Sequence, residues 1–159
     1  MNKKLFFFSF LFCFALLSAA YAGNVRYGYN AQGEYVPIEI EGKDVHYGYN
    51  AQGEYVPTAI GNEKISYGYN AQGQYVPTAI GNENIGYGYN IQGQYVPTSV
   101  GRHKVDYGYN AQGDYVPTSV GSKKIDYGYN PAGEYVPTNI SGSAPHYDSK
   151  THRWNHRWR

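Results

Sequence analysis

Tyr47 to Pro57 has the sequence YGYNAQGEYVP, and close copies of this string occur six times in the chain. Aligned on the first tyrosine, the copies follow one another every 20 residues without insertion or deletion, beginning at Tyr27, Tyr47, Tyr67, Tyr87, Tyr107 and Tyr127. A fixed period of this length indicates a repeat architecture. Position 1 denotes the first tyrosine of each copy, and position 20 denotes the residue before the next copy.

Positions 4 to 7 predict a turn. Five copies have Asn-x-Gln-Gly there, and the sixth has Asn130-Pro131-Ala132-Gly133. Asn in the first place, a tolerated Pro in the second and Gly in the fourth are typical of a type I turn, with the glycine free to adopt the positive φ of a following bulge. Each copy is therefore predicted to be a β-hairpin in which the tyrosine at position 3 faces that at position 9, and the tyrosine at position 1 lies beside the proline at position 11.

The sequence on both sides of this turn favours strands. Residues 65–69 alternate large apolar with small or polar side chains, and residues 74–80 are rich in aromatic and β-branched types. Proline at position 11 has no N–H, so it is expected at an edge, a bulge or a strand end. A kink there is also needed to bring the Ile or Val at positions 14 and 19 to one face. A second, variable turn at positions 15 to 18 leads into the next copy.

The fold class predicted is all-β: an array of six 20-residue β-hairpin repeats with about twelve strands, stacked as a solenoid or spiral-like meander. One hairpin buries too little to be stable alone, so neighbours are expected to share layers of Tyr, Val and Ile. The tyrosines at positions 1, 3 and 9 are predicted to belong mostly to this shared core. Positions 8, 16, 17, 18 and 20 vary in size and charge and are predicted to be solvated.

The run Y-x-Y-N-x-x-G resembles the tyrosine-aspartate (YD) repeat, a β-hairpin unit of about twenty residues in large secreted bacterial shell and toxin-delivery proteins. Tyr47, Tyr49, Asn50 and Gly53, with their equivalents in the other copies, match that core. The chain departs from it by having Asn in place of the acidic residue, and Glu-Tyr where Arg-Leu often follows the glycine. The hairpin is also similar to the choline- and glucan-binding repeats of bacterial surface proteins, although their tryptophans are absent from all six copies. The resemblance implies a shared hairpin architecture and transfers no function.

Residues 1–22 have the three-part plan of a secretory signal peptide. Lys3 and Lys4 precede an apolar run from Leu5 to Leu17, and the segment closes on Ala20-Tyr21-Ala22. Cleavage is expected before Gly23, and the apolar run is short for a transmembrane anchor. The protein is therefore expected to be secreted or periplasmic, with no transmembrane segment after signal removal. Cys13 is the only cysteine, so the exported chain would have no disulfide.

Composition and motifs argue against several function classes. Residues 27–146 carry six Lys and Arg against eleven Asp and Glu, whereas residues 147–159 carry four against one. An acidic body with a short basic tail is a poor nucleic-acid binder. No nucleophile elbow or phosphate-binding loop occurs, and the acidic residues lie at variable positions. We expect no enzymatic activity and no cofactor.

The tail 147–159 breaks the period and repeats the triplet His-Arg-Trp. Its candidate ligand-binding residues are His152, Arg153, Trp154, His156, Arg157 and Trp158. Arg and Trp together suit anionic glycans or lipid headgroups. A four-residue spacing would place the two histidines on one side of a helix, but two ligands without a carboxylate or thiolate make a poor metal site, so no metal is predicted. The alternative is a segment that caps the open edge of the last repeat.

These observations together predict a non-enzymatic repeat protein with a structural or adhesive role at the cell surface or in the periplasm. The first alternative is a polyvalent glycan- or cell-wall-binding module, because exposed tyrosines stack on sugars. The second is an amyloid-like fibre subunit, because Tyr, Asn and Gln recur in register. A ladder of threonines at position 12, found in all copies except the first, is a further candidate ligand surface. The partners expected are a surface polysaccharide, another envelope protein or further copies of the chain.

Overall fold

The computed structural model describes residues 23–141 and the backbone of residues 146–148 and 153–155. The signal peptide predicted for residues 1–22 lies outside the described residues. Every element described is a strand: β1 Gly23–Tyr29, β2 Tyr35–Ile40, β3 Lys43–Tyr49, β4 Tyr55–Ile60, β5 Glu63–Tyr69, β6 Tyr75–Ile80, β7 Glu83–Tyr89, β8 Tyr95–Val100, β9 His103–Tyr109, β10 Tyr115–Val120, β11 Lys123–Tyr129, β12 Tyr135–Ser141, β13 His146–Asp148 and β14 Arg153–Asn155.

Each copy forms the predicted hairpin. In the second copy Tyr49 is in register with Tyr55, and Tyr47 with Pro57. Gly53 N–H donates to the carbonyl of Asn50 (3.0 Å), and Asn50 N–H donates to the carbonyl of Glu54 (2.9 Å). Gly53 has φ of 77°, a value that glycine adopts without steric cost. The type I turn with a positive-φ glycine is therefore confirmed.

The kink after the proline is a β-bulge. Tyr47 pairs with Pro57 and the preceding His46 pairs with Ala59, so Thr58 is the additional residue on its strand. The same shift recurs in the other five hairpins. Thr58 Oγ1 donates to the carbonyl of His46 (3.3 Å). The bulge places positions 14 and 19 opposite each other on one face, as the sequence predicts.

The threonines at position 12 serve this bulge. In copies two to six each hydroxyl donates to the carbonyl of the position-20 residue just before its copy, on the first strand of the same hairpin, and each side chain is half-buried. The threonine methyl group lies close to position 2, where a Cβ added to Gly48 would be 3.2 Å from Thr58 Cγ2. Glycine at position 2 therefore leaves room for the bulged residue.

The strands close into a barrel, and this corrects the predicted open solenoid or spiral. Each strand lies beside its neighbours in sequence, and β1 pairs with β12 through Gly23 with Ile140 and Asn24 with Asn139. The edge of the sixth copy is thus covered by β1 rather than by the tail. Gly23 and Asn24, which lie where positions 17 and 18 of a preceding copy would fall, supply the residues that complete the ring.

Ladders between hairpins are much shorter than ladders within them, where each hairpin joins the last four positions before a copy to positions 1 to 14 of that copy. Ala59 with Lys64 and Ile60 with Glu63 are the two register pairs between β4 and β5, whereas the β3–β4 hairpin has five. In the second to fifth copies the first residue of the connecting turn is a glycine with φ of 53–58°.

Because the strands run up and down in sequence order, all six Asn-Gly loops lie at one end of the barrel, called the loop end. The short connecting turns lie at the other, called the turn end.

The aliphatic core lies towards the turn end. It consists of the position-14 and position-19 side chains, with the position-1 tyrosines packed against it. All six position-14 residues are at most 2% exposed; they are Ile40, Ile60, Ile80, Val100, Val120 and Ile140. The variable positions 8, 16, 17, 18 and 20 are exposed or half-buried in every described copy, as predicted.

Candidate functional site

The three tyrosines of each copy have different environments, although all three were predicted to be core. Position-1 rings are half-buried against the aliphatic core, and position-9 rings are half-buried between them and the solvent. Position-3 rings are 63–74% exposed in all six copies. The prediction was therefore wrong for position 3. The aliphatic residues at positions 14 and 19 mark where the core lies, and position 3 is at the opposite end of its strand.

The position-1 tyrosines join neighbouring copies. Tyr67 Oη donates to the carbonyl of Pro57 in the preceding copy (2.8 Å), and all six copies repeat the contact. Across the closure, Tyr27 Oη donates to the carbonyl of Pro137 (2.7 Å). Proline at position 11 has no N–H that needs a hydrogen-bond acceptor. Its carbonyl lies beyond the end of the short ladder between neighbouring hairpins and accepts the tyrosine hydroxyl instead.

Burial makes these hydroxyls hard to ionise. Desolvation raises the pKa of Tyr27, Tyr107 and Tyr127 far above the ordinary tyrosine value. The neighbouring position-1 tyrosines raise the pKa of Tyr27 and Tyr107 further. These three hydroxyls are therefore neutral structural groups at any physiological pH.

The position-3 tyrosines form an exposed rim at the loop end. Tyr69 meets Tyr75 edge to face with ring centroids 5.1 Å apart, and Tyr75 stacks on Tyr67 at 6.1 Å. Gln52 Nε2 of the preceding copy donates to Tyr69 Oη (2.8 Å). Each exposed ring is therefore held by its own hairpin and, in copies two to six, by the hairpin before it. This rim consists of Tyr29, Tyr49, Tyr69, Tyr89, Tyr109 and Tyr129.

Position 4 ties the loop to the acidic position 8. Asn50 Oδ1 accepts the backbone N–H groups of Gln52 (2.9 Å) and Glu54 (3.0 Å), and Asn50 Nδ2 donates to Glu54 Oε2 (3.0 Å). An aspartate at this place would accept the same two bonds but would repel the carboxylate at position 8. The departure from the YD pattern, Asn for Asp, is thus coupled to the acid or amide that follows.

The loop end is aromatic and acidic. Positions 3 to 9 contain no Lys, Arg or His in any copy, whereas position 8 contributes four carboxylates and two amides: Glu34, Glu54, Gln74, Gln94, Asp114 and Glu134. Ile91 at position 5 adds one apolar side chain that is 87% exposed. Carboxylates and neutral amides beside aromatic faces can accept hydrogen bonds from hydroxyls or attract cations.

The closure between the sixth and first copies breaks the symmetry of the rim. Ala132 occupies position 6 there, so Tyr29 has no glutamine donor equivalent to Gln52, and it is the most exposed rim tyrosine at 74%. Asn130 is only 6% exposed, while its five counterparts are half-buried, and Glu134 is half-buried while its counterparts are exposed.

The candidate residues of the tail lie mostly outside the described part of the chain. His152, His156, Arg157 and Trp158 are not described, and only the backbone of Arg153 and Trp154 is, within β14. β14 pairs with β13 in an antiparallel ladder. The two histidines lie outside the described residues, so their predicted role in ligand binding stays a prediction.

Two features are absent from the described residues. No group of three His, Cys, Asp or Glu side chains could hold a metal ion there. The same part of the chain contains no helix of the length and apolarity needed to cross a membrane.

Comparisons of the chain with protein-family models, curated proteins and solved structures give no match.

Proposed function

We propose that this chain is an exported, non-enzymatic repeat protein with a structural or adhesive role at the cell surface or in the periplasm, and that it attaches through the tyrosine rim. The observation that carries the proposal is the rim itself: six equivalent tyrosines exposed beside carboxylates and amides at one end of the barrel. Surface polysaccharide is the ligand class, because sugar rings stack on aromatic faces while their hydroxyls bond to acidic and amide oxygens.

Preorganisation supports this use of the rim. The edge-to-face contact with position 9 restricts each exposed ring before any ligand arrives, and a glutamine donor restricts five of the six further. A ligand therefore has little side-chain entropy to remove on binding. Six such sites around one barrel end favour a polymer that contacts several at once, because linked weak contacts multiply into avidity.

Export is the second part of the proposal. Residues 1–22 carry the signal-peptide plan, and all twelve barrel strands lie within residues 23–141, after the expected cleavage. Removal of the signal would leave all twelve barrel strands in place.

The amyloid-like alternative has less support. The pairing of β1 with β12 removes the terminal strand edges of the sheet, and a proline interrupts the second strand of each hairpin. Cross-β growth would require the barrel to open first.

Retention on polysaccharide tests the adhesive role. The chain 23–159 is incubated with insoluble cellulose, chitin and peptidoglycan and with a glycan array, beside variants in which two, four or all six rim tyrosines are replaced by Ala. We expect at least one polysaccharide to retain the parent chain. Affinity should fall about tenfold or more with each pair removed, as avidity is lost.

The matched control carries alanines at the opposite end. Asn62→Ala, Asn82→Ala, Arg102→Ala and Ser122→Ala change exposed position-16 residues at the turn end and should leave retention unchanged. Circular dichroism confirms that each variant is folded. Equal retention of the six-tyrosine variant, or no retention of the parent on any polysaccharide, would overturn the proposal.

A further inference from the structure

We propose that the loop end binds the basic tail, residues 147–159, of a second copy, so that the chains assemble head to tail. The inference uses the surface described above but does not depend on polysaccharide binding. The loop end is negatively charged, because four carboxylates lie among six exposed tyrosines and positions 3 to 9 contain no cation in any copy.

The tail has the complementary chemistry. Residues 147–159 carry Lys150, Arg153, Arg157 and Arg159 against Asp148, a net charge of +3 beside the −4 of the loop end. Guanidinium groups bind carboxylates through paired hydrogen bonds and stack on tyrosine faces, and Trp154 and Trp158 add aromatic surface. The tail thus supplies the cations that the loop end lacks, together with aromatic rings that can pack on its tyrosines.

The place where the tail begins favours a second copy as the occupant. β12 runs from Tyr135 beside the loop end to Ser141, which pairs with Lys124 at the turn end. The chain therefore leaves the barrel at the turn end, which faces the loop end of the next copy in a head-to-tail stack. Reaching its own loop end would use about seven extended residues to cover about 24 Å before any contact begins.

The charge of the turn end points the same way. Positions 15 to 18 of the first five copies carry six Lys and Arg against four Asp and Glu, a net charge of +2, compared with −4 at the loop end. Two barrels are therefore attracted with the turn end of one facing the loop end of the next. Because such a contact joins two different surfaces, it propagates into an open chain unless it closes into a ring.

Two variants of the chain 23–159 test this arrangement in the absence of polysaccharide. One loses the charge of the loop end, and the other loses the charge of the tail. The loop variant carries Glu34→Gln, Glu54→Gln, Asp114→Asn and Glu134→Gln, which is structurally mild because Gln74 and Gln94 already make the corresponding bond from position 4. The tail variant carries Arg153→Gln, Arg157→Gln and Arg159→Gln. Sedimentation velocity at low and high salt measures the assembly.

The parent chain should form oligomers that grow with concentration and dissociate in high salt, since the contact is electrostatic. Each variant alone should be monomeric. Their equimolar mixture should give a discrete dimer, because only one intact tail and one intact loop end remain per pair. A monomeric parent, variants that assemble like the parent, or a mixture that stays monomeric would each overturn the proposal. A monomeric parent that still binds polysaccharide would leave the proposed adhesive function standing.

Discussion

Replacing all six position-1 tyrosines by phenylalanine is expected to unfold the barrel. Each substitution keeps the ring but removes the hydroxyl that donates to the proline carbonyl of the preceding copy. A buried carbonyl left without a partner costs about 1–3 kcal/mol. Six such losses total about 6–18 kcal/mol, which reaches or exceeds the stability of a typical domain, about 5–15 kcal/mol.

The single variant Tyr67→Phe gives the graded measurement. It should lower the free energy of unfolding in urea by about 1–3 kcal/mol. The matched control replaces the six position-9 tyrosines by Phe, because none of their hydroxyls has a hydrogen bond within the described residues. That control should fold with nearly unchanged stability. A six-fold position-1 variant as stable as this control would contradict the role of the hydroxyls.

The same hydroxyls predict the alkaline limit of the fold. The folded pKa of Tyr27, Tyr107 and Tyr127 lies above the ordinary value of 10.0, so the folded chain holds these protons more tightly than the unfolded chain does. Their contribution is fully present below that pH and is lost as the pH rises beyond it. The parent chain should therefore unfold in strong alkali.

Truncation of a position-14 side chain is expected to cause the second large loss of stability. Ile60→Ala should lower the free energy of unfolding by about 2–5 kcal/mol, because Ile60 is fully buried among the aliphatic residues of neighbouring strands. Ile60→Val should cost only about 0.5–1.5 kcal/mol, and valine is already the residue at this position in two copies.

An identical chemical change at the loop end is the control for that prediction. Ile91→Ala removes the same atoms from a side chain that is 87% exposed and should change stability little. Denaturant melts of the three variants compare them directly. If Ile60→Ala cost no more than Ile91→Ala, the aliphatic ring would not be the core.

Local sequence patterns predicted what local interactions determine. The Asn-Gly turn, the Tyr–Tyr register and the bulge after the proline all follow from residues within one copy, and all six copies agree. Pro131 was informative because it occupies the slot where a type I turn accepts proline. The hydrogen bond from Asn50 Nδ2 to the Glu54 carboxylate could not be predicted from the sequence pattern, because it depends on side-chain geometry.

Closure could not be predicted in the same way. It depends on small rotations between neighbouring hairpins that add up to one full turn after six copies, and no single copy encodes that sum. Ala132 could have indicated it, since the glutamine is missing in the one copy whose following neighbour is the first. Burial of the position-3 tyrosines was predicted wrongly because stacking was assumed along the whole hairpin, whereas the inter-copy ladder is only two pairs long.

A disulfide across the closure tests the barrel most directly. Asn24 and Asn139 are register partners on β1 and β12, and cross-strand partners lie about 4.5–5.5 Å apart, within the range for a disulfide. The chain 23–159 contains no other cysteine. The positive control is Ala59→Cys with Lys64→Cys, the equivalent register pair between β4 and β5. The negative control is Asn24→Cys with Ser99→Cys, because Ser99 lies on β8, which does not pair with β1.

After mild oxidation at low protein concentration, mass spectrometry of the tryptic digest and a denaturing gel report the bond. The closed barrel predicts that Asn24→Cys with Asn139→Cys forms an intramolecular disulfide as completely as the positive control, while the Ser99→Cys pair stays reduced. An open array would place residues 24 and 139 at opposite ends. Absence of the intramolecular bond in a folded chain would therefore contradict the closed barrel.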